Sequence, residues 1–450
     1  MKVFLKDAGA DKIIEILCTR GYQAYYVGGC VRDVLMGRTP HDFDIAADAL
    51  PDVTASILRE YGYAVIETGL KHGTVTAIYR GRPYEITTFR TDGKYLDHRR
   101  PSDVSYVEDI KEDMARRDFT INAMAIDKDG ELVDYFGGAE DIERRVIRCV
   151  GDPAVRFEED ALRIMRAIRF SAVLGFTVDE NTSKAIHSCR ELLKNISAER
   201  ICAEFSQIMV SERPSVCIRE YMDVFGVFIP ELLKSVGFDQ KTPWHIYDVF
   251  EHTMTALDNT PPELTTRLAV LFHDIGKPYV YTEDAAGVGH FRGHAVCGAD
   301  MAGNILRRLR FSRKIHDDVR LLVRHHDDRI PAERASVKRL MRRLGAENAA
   351  RMADVELADH IAHNPVMVEA RIKDTLLIRK MIEELTAEQA CISLADLALG
   401  GKDIIDAGVP QGKAVGDMLA LLLEMVIDDK LPNEREALIR FVRENLGITN

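Results

Sequence analysis

Apolar positions along the first third of the chain change period several times, and each change predicts an element. Between residues 9 and 20 they recur at helical spacing, which predicts an amphipathic helix. Ala24 to Val27 is a short apolar run closed by Gly28-Gly29, a strand ending in a turn. Tyr63-Ala64-Val65-Ile66-Glu67, Val75-Thr76-Ala77-Ile78-Tyr79 and Pro83-Tyr84-Glu85-Ile86-Thr87-Thr88-Phe89 carry the β-branched and aromatic residues of strands, with Gly81-Arg82 turning between the last two. These segments predict a small mixed sheet with helices up to about residue 145. Beyond Gly151-Asp152-Pro153 long helical periodicity takes over, punctuated by Pro243, Pro261-Pro262, Pro331, Pro365 and Gly400-Gly401. The predicted class is α+β: a mixed-sheet head (residues 1–145), then an all-helical neck (146–236), body (237–365) and tail (366–450).

Composition adds little to that outline, but charge does. At 450 residues, 46% hydrophobic and 29% charged, the chain has the make-up of a soluble protein of several domains. No apolar run reaches the roughly 18 to 20 residues of a membrane span, and the start of the chain lacks a secretory hydrophobic core. The expectation is a cytoplasmic protein. Eight dispersed cysteines without a CxxC pair indicate neither a zinc ribbon nor a disulfide frame. A net charge of −12 argues against a nucleic-acid partner, yet residues 304–344 hold thirteen Lys/Arg against five Asp/Glu. That run reads either as a solvated helical face or as a surface that tracks phosphates.

The chemistry gathers first around Gly28-Gly29 and Asp42-Phe43-Asp44. Alternate residues of a strand share a face, so Asp42 and Asp44 can hold one pair of metal ions. Glycines after a strand let backbone N–H groups approach phosphate oxygens at the start of a helix. Two-metal transfer calls for a further carboxylate from a neighbouring strand, and Glu85, an acid among apolar residues, is the best placed. No Gly-Lys-Ser/Thr follows the glycines, which excludes a P-loop, and the G-x-G-x-x-G spacing of a dinucleotide site is absent. The parts suit metal-assisted transfer of a nucleotidyl group.

Gly28-Gly29-x-Val31-Arg32-Asp33 with Arg38-x-Pro40-x-Asp42-x-Asp44 resembles the first motif of bacterial tRNA nucleotidyltransferases, the CCA-adding enzymes and their bacterial poly(A) polymerase relatives. Arg116-Arg117-Asp118-Phe119-Thr120-Ile121-Asn122-Ala123 resembles the second motif, which in the family contacts sugar and triphosphate. Phe157 to Phe170 resembles the helix that reads the incoming base, and Ser197-Ala198-Glu199-Arg200-Ile201 with Glu204 the helix that supports it. The resemblance implies Asp42, Asp44 and Glu85 as catalytic carboxylates holding Mg2+. It implies nucleotide binding by Gly28, Gly29, Arg32, Asp33, Arg116, Asp118, Asn122, Asp160, Arg163, Arg166 and Arg169. CTP and ATP would be substrates and tRNA the partner, with no membrane involved.

Read physically, Asp118 and Asn122 lie i,i+4, so on a helix they would share a face and could hold ribose hydroxyls. Asp160 and Arg163, three apart in the same predicted helix, would be neighbours. A carboxylate accepts from an exocyclic amine and a guanidinium donates to a ring nitrogen or carbonyl. Cytosine and adenine present that amine; uracil and guanine put a carbonyl in its place. A fixed Asp/Arg pair could therefore select C and A without a template, with Glu159 orienting Arg163 or Arg166. The polar stretch Arg90 to Pro101 resembles a loop found in enzymes that add the terminal A, which argues against a CC-only enzyme.

His273-Asp274, in Leu271-Phe272-His273-Asp274-Ile275-Gly276-Lys277, resembles the signature of HD-type phosphohydrolases. The resemblance implies His252, His273, Asp274 and Asp359 as ligands of a divalent transition metal, with His294 and His325 completing a second position. Hydrolysis of a phosphoester, such as a cyclic phosphate on a damaged tRNA end, is the activity such a site implies. The leading expectation is template-independent addition or repair of the 3′-terminal CCA of tRNA. The competitors are an A-adding enzyme working beside a CC-adding one, a poly(A) polymerase, and, in a different class, an HD-type phosphohydrolase with a degenerate head.

Overall fold

The predicted first helix forms as α1 (Ala8–Thr19) in the computed structural model, which describes residues 2–3, 5–67, 69–70, 73–93 and 104–446. Asp7 caps it, its carboxylate accepting from the Gly9 and Ala10 N–H groups at 3.0 Å. The strands that follow are β1 (Ala24–Val27), β2 (Asp44–Ala47), β3 (Ala64–Ile66), β4 (Thr74–Tyr79), β5 (Arg82–Thr88), β6 (Arg90–Asp92), β7 (Val104–Tyr106), β8 (Met124–Ile126) and β9 (Leu132–Asp134). Seven of them make one sheet in the order β3-β4-β5-β2-β1-β8-β9. β2 runs parallel to β5 and antiparallel to β1. Helices α2 (Gly29–Leu35), α3 (Pro51–Glu60), α4 (Ile110–Ala115) and α5 (Gly138–Arg144) connect them. Ile13, Ile14 and Leu17 of α1 pack with Tyr26, Ile45 and Ile86 of the sheet in one core, because the alternation of those strands sends these side chains to one face.

β6 and β7 form a separate two-stranded ribbon. The stretch read as an A-adding loop continues from β6, and its residues 94–101 lie outside the described residues.

The chain falls into two compact units, Met1–Pro230 and Glu231–Asn450. In the first, the sheet is followed by β10 (Val146–Ile147), α6 (Pro153–Glu159), α7 (Leu162–Leu174), β11 (Thr177–Val178), α8 (Glu180–Cys189), α9 (Ala198–Met209), α10 (Pro214–Glu220) and α11 (Met222–Phe228). The expected all-helical neck thus contains one short parallel pairing, β10 with β11. It escapes a reading by periodicity because two residues are too few to show a period.

The second unit contains α12 (Val249–Asp258), α13 (Leu264–Phe272), α14 (Lys277–Val280), α15 (His294–Arg308), α16 (Arg313–His325), α17 (Arg334–Leu344), α18 (Ala346–Ala362) and α19 (Pro365–Ala387). It closes with α20 (Gly401–Asp406), α21 (Lys413–Ile427) and α22 (Arg435–Asn445), and holds one further two-residue hairpin, Thr282–Glu283 with Gly289–His290. Much of the basic run at 304–344 is engaged by carboxylates within this unit. Arg308 pairs with Glu231 at 2.9 Å, Lys338 with Asp429 at 2.5 Å, Arg342 with Glu424 at 2.5 Å and Arg343 with Asp328 at 3.0 Å, while Arg339 meets Asp428. Those cations knit α17 to α21 and neighbouring segments, so this part of the run is neither a merely solvated face nor a set of unengaged cations. Among the described residues, no helix is long and apolar enough to cross a membrane.

Candidate functional site

The parallel register of β2 and β5 sets Asp44 directly beside Glu85 at the head of the sheet. Both line a cleft of about 460 Å3 together with Gly28, Gly29 and Arg32. Gly28 has φ of 73°, a conformation that favours glycine, and an added Cβ would meet Arg117 Nη1 at 3.1 Å. Asp44 reaches solvent at the open cleft, while the protein atoms around its carboxyl desolvate it in part. That desolvation, then the charges of Glu85 and Asp42, raises the Asp44 carboxyl above its ordinary range, against the pull of Arg117. Like charge crowded in one place is a setting that a cation relieves. Asp42 lies two residues before the first paired residue of β2, exposed and outside the cleft lining, so it does not alternate with Asp44 on a paired strand as expected. Arg82 holds that approach segment, donating to the His41 carbonyl and lying 5.0 Å from the Phe43 ring centroid.

The oxygen donors fit Mg2+, which keeps several waters and takes one or two carboxylates plus substrate phosphates rather than a closed protein cage. Accordingly, Asp42, Asp44 and Glu85 do not appear among the groups of described side chains whose ligand atoms all lie within 4.8 Å of one another.

Arg32 donates through Nη1 to Asn122 Oδ1 at 2.9 Å and through Nε to Asp33 Oδ1 at 2.9 Å. Asp33 is therefore an anchor for Arg32 and does not line the cleft. Arg116 and Arg117 are both tied to Asp113, at 2.7 and 3.1 Å, and both line the cleft. Asp118 and Asn122 meet as expected, Asn122 Nδ2 donating to Asp118 Oδ1 at 3.2 Å, but across a short 3-10 turn (Thr120–Asn122) rather than along an α-helix. Arg166 Nε donates to Asp118 Oδ2 at 2.8 Å. Burial alone would raise the Asp118 carboxyl; the Arg166 guanidinium and the bonds from Asn122 and Phe119 hold it below its ordinary value.

The base-reading segment differs from its expected geometry. α6 stops at Glu159, Asp160 is extended (φ −136°, ψ 102°), and α7 starts at Leu162, so Asp160 and Arg163 flank a helix break instead of sharing one helix. Both still line the cleft. Arg163 Nη1 donates to Glu159 Oε2 at 2.6 Å and its Nη2 to the Arg116 carbonyl at 3.0 Å. Arg200 Nη2 donates to Asp160 Oδ2 at 2.9 Å. Arg166 lines the cleft, whereas Arg169 sits outside it, donating to Glu204 and stacking 4.0 Å from the Phe170 ring centroid. Nearly one helical turn beyond Arg166, it ties α7 to α9. Arg90, Arg117 and Phe170 also line the cleft; each lies within a segment that carries the family resemblance, but the resemblance assigns none of them a role in nucleotide binding.

A second cluster lies within the second unit. His252 Nε2 is 2.8 Å from Asp359 Oδ1 and 3.3 Å from His273 Nε2, and His273 Nε2 is 3.2 Å from Asp274 Oδ2. The other oxygen of Asp274 lies 3.6 and 3.8 Å from His294 Nε2 and His326 Nε2, which are 3.2 Å apart. The expected second position thus uses His326, not His325. Consecutive residues near the end of α16 point about 100° apart, and His325 turns away to Asp328 at 2.8 Å.

Each of the four imidazoles places Nδ1 against a backbone carbonyl: Ala362 at 3.2 Å, Val270 at 2.7 Å, Phe291 at 2.9 Å and Val323 at 2.7 Å for His252, His273, His294 and His326 respectively. With Nδ1–H donating to those carbonyls, Nε2 is in each ring the nitrogen turned into the cluster. The Nε2 atoms of His252 and His273 converge with oxygens of Asp274 and Asp359, and those of His294 and His326 with Asp274, a mixed nitrogen and oxygen donor set that fits divalent metal. Lys277, 2.6 Å from Asp274, and Trp244, His245, Arg292, Arg329 and Arg371 border the adjoining cavity of about 530 Å3.

Known proteins match this chain over most of its length. Residues 24–148 match the family described as Poly A polymerase head domain, 175–233 the probable RNA and SrmB-binding site of polymerase A, and 295–442 the putative tRNA nucleotidyltransferase domain 2. The CCA-adding enzyme of Lactobacillus helveticus is 32% identical over 448 residues, covering 98% of this chain and 97% of that protein. That of Geobacillus thermodenitrificans is 51% identical over 197 residues, 44% of this chain and 48% of that protein. The crystal structure of the Bacillus stearothermophilus CCA-adding enzyme in complex with CTP superposes with a TM-score of 0.71 at 29% identity, covering 97% of each chain. The Thermotoga maritima CCA-adding enzyme complexed with tRNA shares the fold, with a TM-score of 0.61 at 20% identity over 99% of this chain and 100% of that one. With a relative 32% identical over nearly the full length of both chains and a matching poly(A) polymerase head, this chain belongs to the CCA-adding enzymes, the tRNA nucleotidyltransferases that share that head.

Proposed function

We propose that the chain builds or repairs the 3′-terminal CCA of tRNA from CTP and ATP, without a nucleic-acid template, in the cytoplasm. The observation that carries this reading is the opposition of Asp44 and Glu85 across the β2–β5 pairing, in one cleft with Gly28, Gly29, Asp160 and Arg163. Asp42, Asp44 and Glu85 would hold Mg2+, which when bound acidifies a hydroxyl and neutralises phosphate charge. Arg32, braced by Asp33 and Asn122, presents a cation to the triphosphate. Asp160 accepts from the exocyclic amine of cytosine or adenine while Arg163, held by Glu159, donates to the ring. The tRNA 3′-oxygen forms a bond to the α-phosphorus as the bond to pyrophosphate breaks. Residues 1–145, 146–236, 237–365 and 366–450 then serve as head, neck, HD-type body and tail.

One experiment separates this reading from an A-adding enzyme or a poly(A) polymerase. tRNA lacking CCA, lacking only the terminal A, or complete is incubated with each labelled NTP alone and with CTP and ATP together. Addition of C, C and A in order, stopping at a complete end, is the expected result. Addition of A alone to tRNA ending in CC, or of long A tails, would overturn it.

A second activity is supported by the facing Nε2 atoms of the other cluster. His252, His273, Asp274 and Asp359, with His294 and His326 at the second position, would hold divalent transition metal, for which imidazole is a suitable ligand. Arg292, Arg329 and Lys277 beside it favour an anionic ligand, and hydrolysis of a phosphoester is the chemistry we assign. Phosphatase or phosphodiesterase activity absent in His273→Ala is the expected outcome; equal activity in the two proteins would remove it.

A further inference from the structure

We infer that the cavity bordered by the end of α16, by α18 and by α19 is a further cation site, separate from the histidine cluster, in which Glu356 is the innermost ligand of a hydrated hard divalent cation such as Mg2+ or Ca2+. The cavity has a volume of about 280 Å3, and Asp327, Asp328, Glu356, Asp359 and Asp374 all line it. A group of acids is by itself an ordinary surface feature. Glu356 makes the difference, because it is only 8% exposed and its Oε1 has no hydrogen-bond partner among the described residues. A buried carboxylate oxygen left without a partner is costly and points to an ion or a water that completes it.

The charges around Glu356 favour the ion. Burial, and then Asp359, Asp328 and Asp327, push its carboxyl up to about 8. All three neighbours carry its own sign, and no positive group offsets them. Arg329 and Arg371 border this cavity, but they also border the one beside the histidine cluster, and Arg371 lies over the Trp244 ring at 4.6 Å. Glu356 and Asp374 border this cavity alone. Oxygen donors predominate here. His360 turns Nδ1 to Thr375 Oγ1 at 3.2 Å. Such a set suits Mg2+ or Ca2+, whereas the imidazoles of the other cluster suit a transition metal. Glu356 belongs to none of the described groups whose ligand atoms all lie within 4.8 Å of one another, so the ion keeps waters between itself and part of its ligands. The cavity has room for several, each water taking about 30 Å3.

Equilibrium dialysis of the metal-stripped full chain against Ca2+, a probe that imidazole clusters hold poorly, tests the site in wild type, Glu356→Gln, Asp374→Asn and the double variant His273→Ala, Asp274→Asn. Wild type should hold about one Ca2+ per chain more than Glu356→Gln. The double variant should hold as much as wild type, which keeps this site apart from the histidine cluster. Ca2+ should also raise the melting temperature of wild type but not that of Glu356→Gln, whose CCA addition in Mg2+ should be unchanged. Equal Ca2+ content and equal melting shifts in wild type and Glu356→Gln would leave the cavity to water and overturn the inference. A loss in the double variant as large as that in Glu356→Gln would place the ion in the histidine cluster and overturn it as well. If Glu356→Gln does not fold, the exposed change Asp374→Asn carries the comparison: weaker Ca2+ binding is expected, and unchanged binding would overturn the site.

Discussion

Asp44 and Glu85 are register partners in the parallel pairing of β2 with β5, although 41 residues separate them in the chain. The pairing brings two acids from different segments to the same end of one cleft. Asp44→Asn and Glu85→Gln are each expected to lower nucleotide incorporation by at least about 10²-fold, the scale of losing one charge-stabilising group. tRNA affinity in a filter-binding assay should stay within a few-fold of wild type. Asp42→Ala should behave likewise. Substantial turnover in any of the three would remove that carboxylate from the metal site.

Asp160→Ala is expected to relax selection, admitting UTP or GTP on tRNA lacking CCA. Retained preference for CTP in single-nucleotide assays would contradict the assignment of Asp160 as the acceptor that reads the exocyclic amine.

The second cluster should be measurable without any catalytic assay. Trp244, the chain's single tryptophan, lines the adjoining cavity, so its fluorescence should respond as Mn2+, Co2+ or Zn2+ is titrated into metal-stripped protein. Metal at a hundred times its Kd stabilises a folded protein by about 2.7 kcal/mol, visible as a raised melting temperature. Both responses should vanish in the double variant His273→Ala, Asp274→Asn, while CCA addition in Mg2+ persists. Equal metal content in variant and wild type would refute the ligand set.

The pairing of buried Asp118 with the partly exposed Arg166 links stability to acid. Burial raises and Arg166 lowers the Asp118 carboxyl, with a net value below 3.8 in the folded chain. A depressed folded value contributes stability that is complete above the unfolded value and lost as pH falls through the folded one. Denaturant unfolding of wild type should therefore weaken more steeply below about pH 4 than that of Asp118→Asn. Parallel pH profiles for the two would show that the pair is not the linked group.

Much of this was legible along the chain because it depends on local order. The glycine turn, the Asp42-x-Asp44 spacing, the Arg-Arg-Asp segment, Glu159 to Arg163 and His273-Asp274 are all neighbours in sequence, and β1, β5 and α1 follow from period and residue type. The choice of Glu85 was also open to that reading, since an acid in an apolar strand is conspicuous. Other features depend on contacts between segments far apart. That Asp160 ends a helix and is gripped by Arg200, that Asp33 and Arg169 brace other residues instead of lining the cleft, and that Arg117 crosses over Gly28 are settled by which side chains meet after folding. So is the use of His326 rather than His325, since a single residue's rotation about a helix decides which imidazole faces Asp274. Part of the basic run at 304–344 makes the same point: its charge is plain in the sequence, but the partners of Lys338, Arg339 and Arg342 of α17, namely Glu424 of α21 with Asp428 and Asp429 just after it, lie 82 to 91 positions away and meet them only because these segments pack.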